Sequence, residues 1–191
     1  MEFNEKRLDF VRRTRVNLDT TEAWRKEHPT ATFHEVTHLV NSLVGLLILP
    51  KEMMDAMGAP VEAEIQATVV PTGIPEWGVS FDLQPTENRR HRTLDPGGLP
   101  THVRTLVAGL RNAVAHYALR YGIKEKEIAS VVFQVRPWDR EQPPRPSWDA
   151  TFTISELLAF VRRLADAIER VQEEAGLQKS RLRASRAGAP R

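Results

Sequence analysis

The chain has 191 residues, of which 41% are hydrophobic and 27% are charged, with a formal net charge of +2 and no cysteine. That length is enough for one domain with a sizeable core and too short to expect two. Without cysteine, disulfides, thiolate metal sites and thiol nucleophiles are excluded. Because the N-terminus is charged and no apolar run reaches roughly 18 residues, we expect a cytoplasmic protein that does not enter a membrane.

The first predicted element is an amphipathic helix over residues 4–27. Its inward positions include Val11 and Leu18, which recur at helical spacing. Arg13 and Asn17 lie beside this apolar stripe and are candidates for substrate binding. The flank of a surface helix always carries polar residues, so a purely solvated role is what the pattern alone favours.

A second helix is predicted over residues 33–49. Thr32 followed by Glu35 has the form of a capping box at its start. The helix is apolar over most of its circumference, which predicts a central position in the core. Asn41 interrupts that apolar surface and must find a hydrogen-bond partner if it is buried. It is therefore either a structural residue or a candidate for substrate binding.

The start of this helix also contains an HExxH string, formed by His34, Glu35 and His38. Two imidazoles four residues apart on a helix can share a zinc ion, with the glutamate as general base for a bound water. Against this, Val44 stands where the third histidine of the short-spaced zinc proteases would be. Glu35 also has a structural role in the capping box. A small zinc hydrolase is therefore kept as an alternative interpretation.

Residues 59–98 have a different texture, with apolar and polar residues in alternation on either side of a proline- and glycine-rich stretch. This pattern predicts an irregular or β insertion. A second β-hairpin is predicted over about 130–154, from the alternating segments Ser130–Val135 and Trp148–Ile154.

A third helix is predicted over residues 99–122, from a start at Pro100-Thr101 to a stop at Gly122. Apolar residues recur along it at intervals of three and four: Val103, Leu106, Val107, Leu110, Val114, Ala118 and Tyr121.

A polar group lies beside that apolar stripe. Asn112 and His116 are four residues apart and so share one face of the helix. Arg111 lies about 140° round from His116 and roughly 7.5 Å along the axis, a gap that a long guanidinium side chain can span. Arginine, amide and imidazole together suit a phosphodiester, because arginine binds phosphate and histidine moves a proton. The same spacing also arises on any solvated helix face.

The last predicted helix covers residues 156–175, with Ser155 as its cap and Gly176 as its end. Residues 177–191 then form a basic tail without an acidic residue. Such a tail suits a polyanion such as RNA, and it is equally typical of a solvated terminus. The predicted organisation is therefore a single domain over 1–176 followed by a flexible basic tail.

Three segments together resemble the HEPN superfamily, in its plasmid-borne stand-alone branch. They are FVRRTRVNL at 10–18, EVTHLVNSLVGLLILPKE at 35–52 and LRNAVAHYAL at 110–119. The resemblance extends more loosely to the predicted hairpin and the last helix. It implies a mainly α fold, a HEPN-like helical bundle with a small β-hairpin or sheet appendage. It also implies that the HExxH string is incidental.

Many members of this superfamily are metal-independent endoribonucleases with an RxxxxH motif, and they are usually dimers. Carried over to this chain, the resemblance makes Arg111 and His116 the catalytic arginine and histidine, and Asn112 the polar second position of the motif. His116 would move a proton as base or acid, and Arg111 would stabilise charge on the phosphate. Tyr117, beside His116, is a further candidate for substrate or interface contact.

The function predicted from these observations is an endoribonuclease that cuts RNA through attack of the ribose 2′-hydroxyl, without a cofactor. We expect it to act as a toxin or defence effector, with RNA as substrate, a homodimer as active form and an antitoxin protein as a possible partner. The first alternative is a catalytically inactive HEPN module that binds RNA or protein. The second is the zinc hydrolase.

Overall fold

The larger of the two sheets that the structure describes is four-stranded and antiparallel. The computed structural model describes residues 3–28, 42, 67–86, 98–125, 127–136 and 147–187, the side chains of 3–8 and 171–187 excepted. This part of the chain contains three α-helices and two antiparallel sheets. The prediction of a mainly α bundle is therefore wrong. The physical reason is that the end of the helix predicted over 99–122 is a strand, and this strand and part of the 59–98 segment join the predicted hairpin in one sheet.

The four strands are β3 Asp82–Thr86, β4 Leu119–Lys124, β5 Glu127–Val135 and β6 Ser147–Thr153. Their order in the sheet is β3–β6–β5–β4. Val131 lies opposite Phe152 in the β5–β6 pair, so the hairpin predicted over about 130–154 is confirmed. The smaller sheet pairs β1 Gly73–Ile74 with β2 Val79–Ser80 around a 3-10 turn, Pro75–Trp77.

The two faces of the four-stranded sheet differ in character, because successive side chains of a strand point to opposite sides. One face carries Leu83, Phe133, Ala150 and Phe152, all at most 1% exposed. Phe152 stacks at an angle on Phe160 of the last helix, with 5.6 Å between ring centroids. The register places Asp149 and its cross-strand neighbour Gln134 on the opposite face. The first face is thus the core side of the sheet.

The first helix, α1 Phe3–Glu27, confirms the helix predicted over 4–27. Val11 is fully buried and Leu18 is 5% exposed, as the periodicity predicted. The helix packs against the last helix of the chain and is joined to it by ion pairs. Arg15 donates to Asp166 at 2.7 Å, and Arg162 donates to Asp19 at 2.6 Å. The helix predicted over 33–49 lies outside the described residues except for Ser42, which is helical and buried.

The last helix, α3 Ile154–Ala187, is longer than predicted at its C-terminal end. Its start is a capping box formed by Thr153 and Glu156. The Thr153 backbone N–H donates to the Glu156 carboxylate at 2.8 Å, and the Glu156 N–H donates to the Thr153 hydroxyl at 3.3 Å. Ser155 is therefore not the cap. Gly176 does not end the helix either, because the helix continues past it to Ala187.

No helix among the described residues is long and apolar enough to cross a membrane.

Candidate functional site

The second described helix, α2 Val103–Ala115, lies on the core side of the sheet and carries the candidate site at its C-terminal end. Its start is tied to the chain ahead of the 3-10 turn, since the Val103 N–H donates to the Ala67 carbonyl at 3.2 Å. The predicted apolar stripe is buried over the helical part: Val103, Leu106, Val107, Leu110 and Val114. This firm packing gives the polar residues of the last turn a fixed position.

The helix ends at Ala115, well before the predicted stop at Gly122. His116 is the cap, and Tyr117 follows with a φ of 51°. The Tyr117 N–H donates to the Val114 carbonyl at 3.1 Å, and the Ala118 N–H donates to the Ala113 carbonyl at 2.8 Å. These are the two hydrogen bonds of a Schellman motif, which reverses the chain at a helix end. The helix predicted over 99–122 is therefore correct only to Ala115.

Gly122, the predicted helix stop, lies instead in β4 opposite Ser130. A Cβ atom at this position would overlap the Ser130 hydroxyl oxygen. The close contact is with the rotatable Ser130 side chain, and Gly122 does not have the positive φ of a left-handed turn. Tyr121, predicted on the same helix as His116, is likewise a residue of β4.

Arg111 is half-buried in the last turn of α2. One terminal nitrogen of its guanidinium donates to the Asn112 side-chain oxygen at 3.0 Å. Its Nε is buried and has no hydrogen-bond partner among the described residues. A buried donor without a partner costs about 1–3 kcal/mol. Its described hydrogen-bond partner is thus a neutral amide, and no described carboxylate pairs with the guanidinium, which favours an anion as a further partner.

Asn112 and His116 are exposed at the same helix end. The His116 N–H donates to the Asn112 carbonyl at 3.1 Å, the regular bond between residues four apart in a helix. The structure thus places the three predicted catalytic residues on one turn and its cap. A cation, an amide and an accessible imidazole can bind a phosphate and move a proton there.

Tyr117 is 70% exposed and lies next to His116. Its side chain shares a hydrogen bond with Tyr121, which is half-buried in β4. Burial, and to a smaller degree the hydrogen bond with Tyr117, raises the pKa of Tyr121 to about 12. Tyr117, one of the predicted substrate-binding residues, lies at the same helix end as the three predicted catalytic residues.

The other predicted substrate-binding residues are not brought to this turn by a described contact. Arg13 donates to Asp9 of its own helix at 2.8 Å, and Asn17 is exposed. Both are on α1, which packs mainly against α3. Asn41 and the zinc-type string His34, Glu35 and His38 lie outside the described residues. Within the described ranges, no group of three His, Cys, Asp or Glu residues could hold a metal ion.

Sequence reasoning missed a second polar cluster, on the sheet face opposite the core. Asp149 is nearly buried there and accepts hydrogen bonds from Arg120, at 2.8 Å, and from Arg136. Arg136 also donates to the Trp148 carbonyl at 3.0 Å. The available signal was one acidic residue within an apolar strand, which requires a partner if buried. Because Arg120 was assigned to a helix, the pairing could not be predicted.

An accessible histidine, an amide and an arginine on one helix turn define a class of site suited to phosphodiester chemistry. The family model HEPN pEK499 p136 matches residues 1–175. The chain therefore belongs to this HEPN family, and the resemblance predicted from its sequence is confirmed. Membership of a HEPN family indicates a nuclease or RNA-related function. No curated protein and no solved structure gives a significant match.

Proposed function

We propose that the protein is an endoribonuclease that needs no metal ion, with its active site at the C-terminal end of α2. The observation that carries the proposal is the position of Arg111. This cation is half-buried, has Asn112 as its described hydrogen-bond partner and stands on the same turn as the cap residue His116. Membership of the HEPN family supports a nuclease.

The reaction follows from the groups present. His116 removes the proton of a ribose 2′-hydroxyl, whose oxygen attacks the neighbouring phosphorus. The bond from phosphorus to the 5′-oxygen breaks, and that oxygen takes up a proton from a general acid, the role given below to the second His116 of a homodimer. The products are a 2′,3′-cyclic phosphate and a 5′-hydroxyl. Arg111 stabilises the negative charge that gathers on the phosphate oxygens, and Asn112 orients the guanidinium through its side-chain oxygen.

The direct test compares His116→Ala with His102→Ala on a labelled RNA. His102 is exposed at the opposite end of the same helix and makes no capping hydrogen bond with its side chain, so it is a matched control. We expect His116→Ala to lower the cleavage rate by about 100-fold or more, the usual scale for a lost proton-transfer group. His102→Ala should cleave like the wild type.

Chelation separates this function from the zinc alternative. Cleavage that persists in EDTA and yields 2′,3′-cyclic ends supports the proposal. Loss of cleavage in EDTA together with loss in Glu35→Gln would instead indicate a metal hydrolase. RNA binding without cleavage by any variant would indicate an inactive binding module.

We also propose that the active form is a homodimer with both α2 ends in one site. The reaction needs a base and an acid, whereas the motif supplies one histidine per chain. Mixing wild-type chains with an excess of His116→Ala chains tests this. Activity per wild-type chain should fall as mixed dimers form. Constant activity, with exchange confirmed by differently tagged chains, would show that each chain works alone.

The biological role that we propose is a toxin or defence effector that cuts cellular RNA, held in check by an antitoxin protein. Expression of the wild-type chain should then arrest bacterial growth, and His116→Ala at equal protein level should not.

A further inference from the structure

Tyr117 occupies a backbone conformation that favours glycine. Its φ is 51°, and it stands directly after the cap of α2. At this position of a Schellman motif glycine is usual and asparagine the next choice, because a left-handed backbone crowds the Cβ of other residues. The two hydrogen bonds that close the helix use backbone atoms only. Helix termination therefore does not account for a tyrosine here.

The unfavourable conformation places a large aromatic ring at the surface beside His116. Tyr117 is 70% exposed, and the half-buried Tyr121 of β4 interacts with its side chain. An exposed flat ring on a backbone position set by the helix end is a platform on which a base can stack. Strained residues of this kind cluster at sites of ligand contact, where other interactions maintain them.

We propose that Tyr117 stacks on an unpaired base next to the phosphate bound at Arg111. The proposal rests on the function inferred above and adds a base-stacking residue to its site. A base within a duplex is already stacked on both faces, whereas bases of loops and single strands can turn onto an aromatic side chain. Tyr117 is thus a specificity-determining residue, and His116 and Arg111 act on the phosphodiester.

The chain offers a matched control for the backbone change. Glu125, in the turn between β4 and β5, is the other described non-glycine residue with positive φ, at 53°, and it is exposed. Glycine at either position relieves the same kind of strain. Tyr117→Gly and Glu125→Gly should therefore melt at or above the wild-type temperature, and only the first removes a ring from the site.

The test measures binding of RNA in which 2′-O-methyl groups prevent cleavage. A short single strand and a duplex of the same sequence are compared by fluorescence anisotropy at one salt concentration. We expect Tyr117→Gly to weaken single-strand binding about 5- to 100-fold, the loss of one base–aromatic stack, and to change duplex binding little. Tyr117→Phe should keep most of the affinity, and Glu125→Gly all of it.

Equal single-strand binding by the wild type and Tyr117→Gly would overturn the stacking role. So would a change of oligomeric state in Tyr117→Gly, which would assign the ring to a protein interface. If Tyr117→Gly does not fold, Tyr117→Asn provides the same comparison with the next most favoured residue. If RNA binding depends on Tyr117 but unmodified RNA is not cleaved, the nuclease function is wrong and the stacking role stands. If Tyr117→Gly cleaves RNA with an unchanged KM, the stacking role is wrong and the nuclease function stands.

Discussion

Two of the arginine clusters in the structure differ in the partners of their guanidinium groups. On the outer face of the sheet, Arg120 and Arg136 both donate to the carboxylate of Asp149. At the end of α2, the described partner of Arg111 is the neutral side-chain oxygen of Asn112. In the first cluster, both guanidinium groups have a carboxylate partner within the fold. The second has a guanidinium whose charge no described carboxylate balances.

This difference indicates which region is scaffold and which is site. A buried carboxylate with two arginine partners is stable only while the partners remain, so its role is to hold strands together. An arginine that is packed in place without a carboxylate is prepared for an anion from outside. Residue spacing alone does not make this distinction, and in the sequence only the family resemblance singles out Arg111.

The largest expected effect follows from replacing one arginine of each region. Arg111→Ala should lower the rate of RNA cleavage about 100-fold or more, because it removes the group that stabilises charge on the phosphate. Arg120→Ala should leave the rate per folded molecule unchanged, since Asp149 retains its hydrogen bond with Arg136. Single-turnover cleavage of one labelled RNA measures both. Equal losses in the two variants would remove the distinction between site and scaffold.

For the stability of the protein, in contrast, we expect the larger effect from the Asp149 cluster. Asp149→Ala leaves two arginines without their carboxylate and should destabilise the protein by about 2 kcal/mol, the scale of charged hydrogen bonds that are partly exposed to water. Thermal melting should show a decrease of roughly 4–8 °C for a chain of this size.

Asp82→Ala is the matched control for that measurement. Asp82 is exposed on β3 and accepts a hydrogen bond from Gln84 at 2.8 Å, without a cation. Its removal should change the melting temperature little. If the two aspartate variants melt alike, the Asp149 cluster is not a structural support of the sheet.

A smaller effect tests the contact that joins α2 to the sheet. Gly109 is buried in α2, and a Cβ atom there would overlap the indole ring of Trp148. Gly→Ala in a helix interior normally stabilises by about 1 kcal/mol, but overpacking costs about 1–3 kcal/mol. We expect a net loss of about 1 kcal/mol in urea unfolding. In a Trp148→Phe background the same change should cost less, and an equal cost in both backgrounds would show that the indole is not the obstacle.

Sequence periodicity predicted the parts of the fold that local pattern determines. The helical spacing of Val11 and Leu18, and the alternation through Phe81 and Leu83, correspond to buried positions in the structure. The same holds for the stripe of α2 as far as Val114. In each case one face of a regular element is buried, so hydrophobic spacing carries the information.

The failures lie where tertiary contacts override local signals. Apolar spacing continued from α2 into Ala118 and Tyr121, and Gly122 resembled a helix stop, yet the chain turns at a tyrosine. A left-handed tyrosine has no local signature, because tyrosine rarely adopts this conformation. The helix cap was misplaced from Thr153 to Ser155 for a simpler reason, since both hydroxyl residues precede the helix and only the backbone geometry selects between them.

The smallest effect tests whether the tyrosine pair holds the turn beside His116. These are the only two tyrosines of the chain, so tyrosinate absorbance can be followed residue by residue with Tyr117→Phe and Tyr121→Phe. The pKa of Tyr121 should be about 12, through burial first and the hydrogen bond with Tyr117 second. Tyr117→Phe should therefore lower the pKa of Tyr121 without returning it to the ordinary value near 10.

The same shift sets the sign of an alkaline effect on stability. Because folding raises the pKa of Tyr121, its contribution is fully present below about pH 10 and is lost as the pH rises through about 12. Urea unfolding across this interval should show a shallower loss of stability in Tyr121→Phe than in the wild type. Tyr117→Phe should be intermediate, since burial remains when the hydrogen bond is removed. An unchanged pKa of Tyr121 in Tyr117→Phe would mean that the Tyr117 ring is not fixed by this bond, and base stacking would then have to order a mobile side chain.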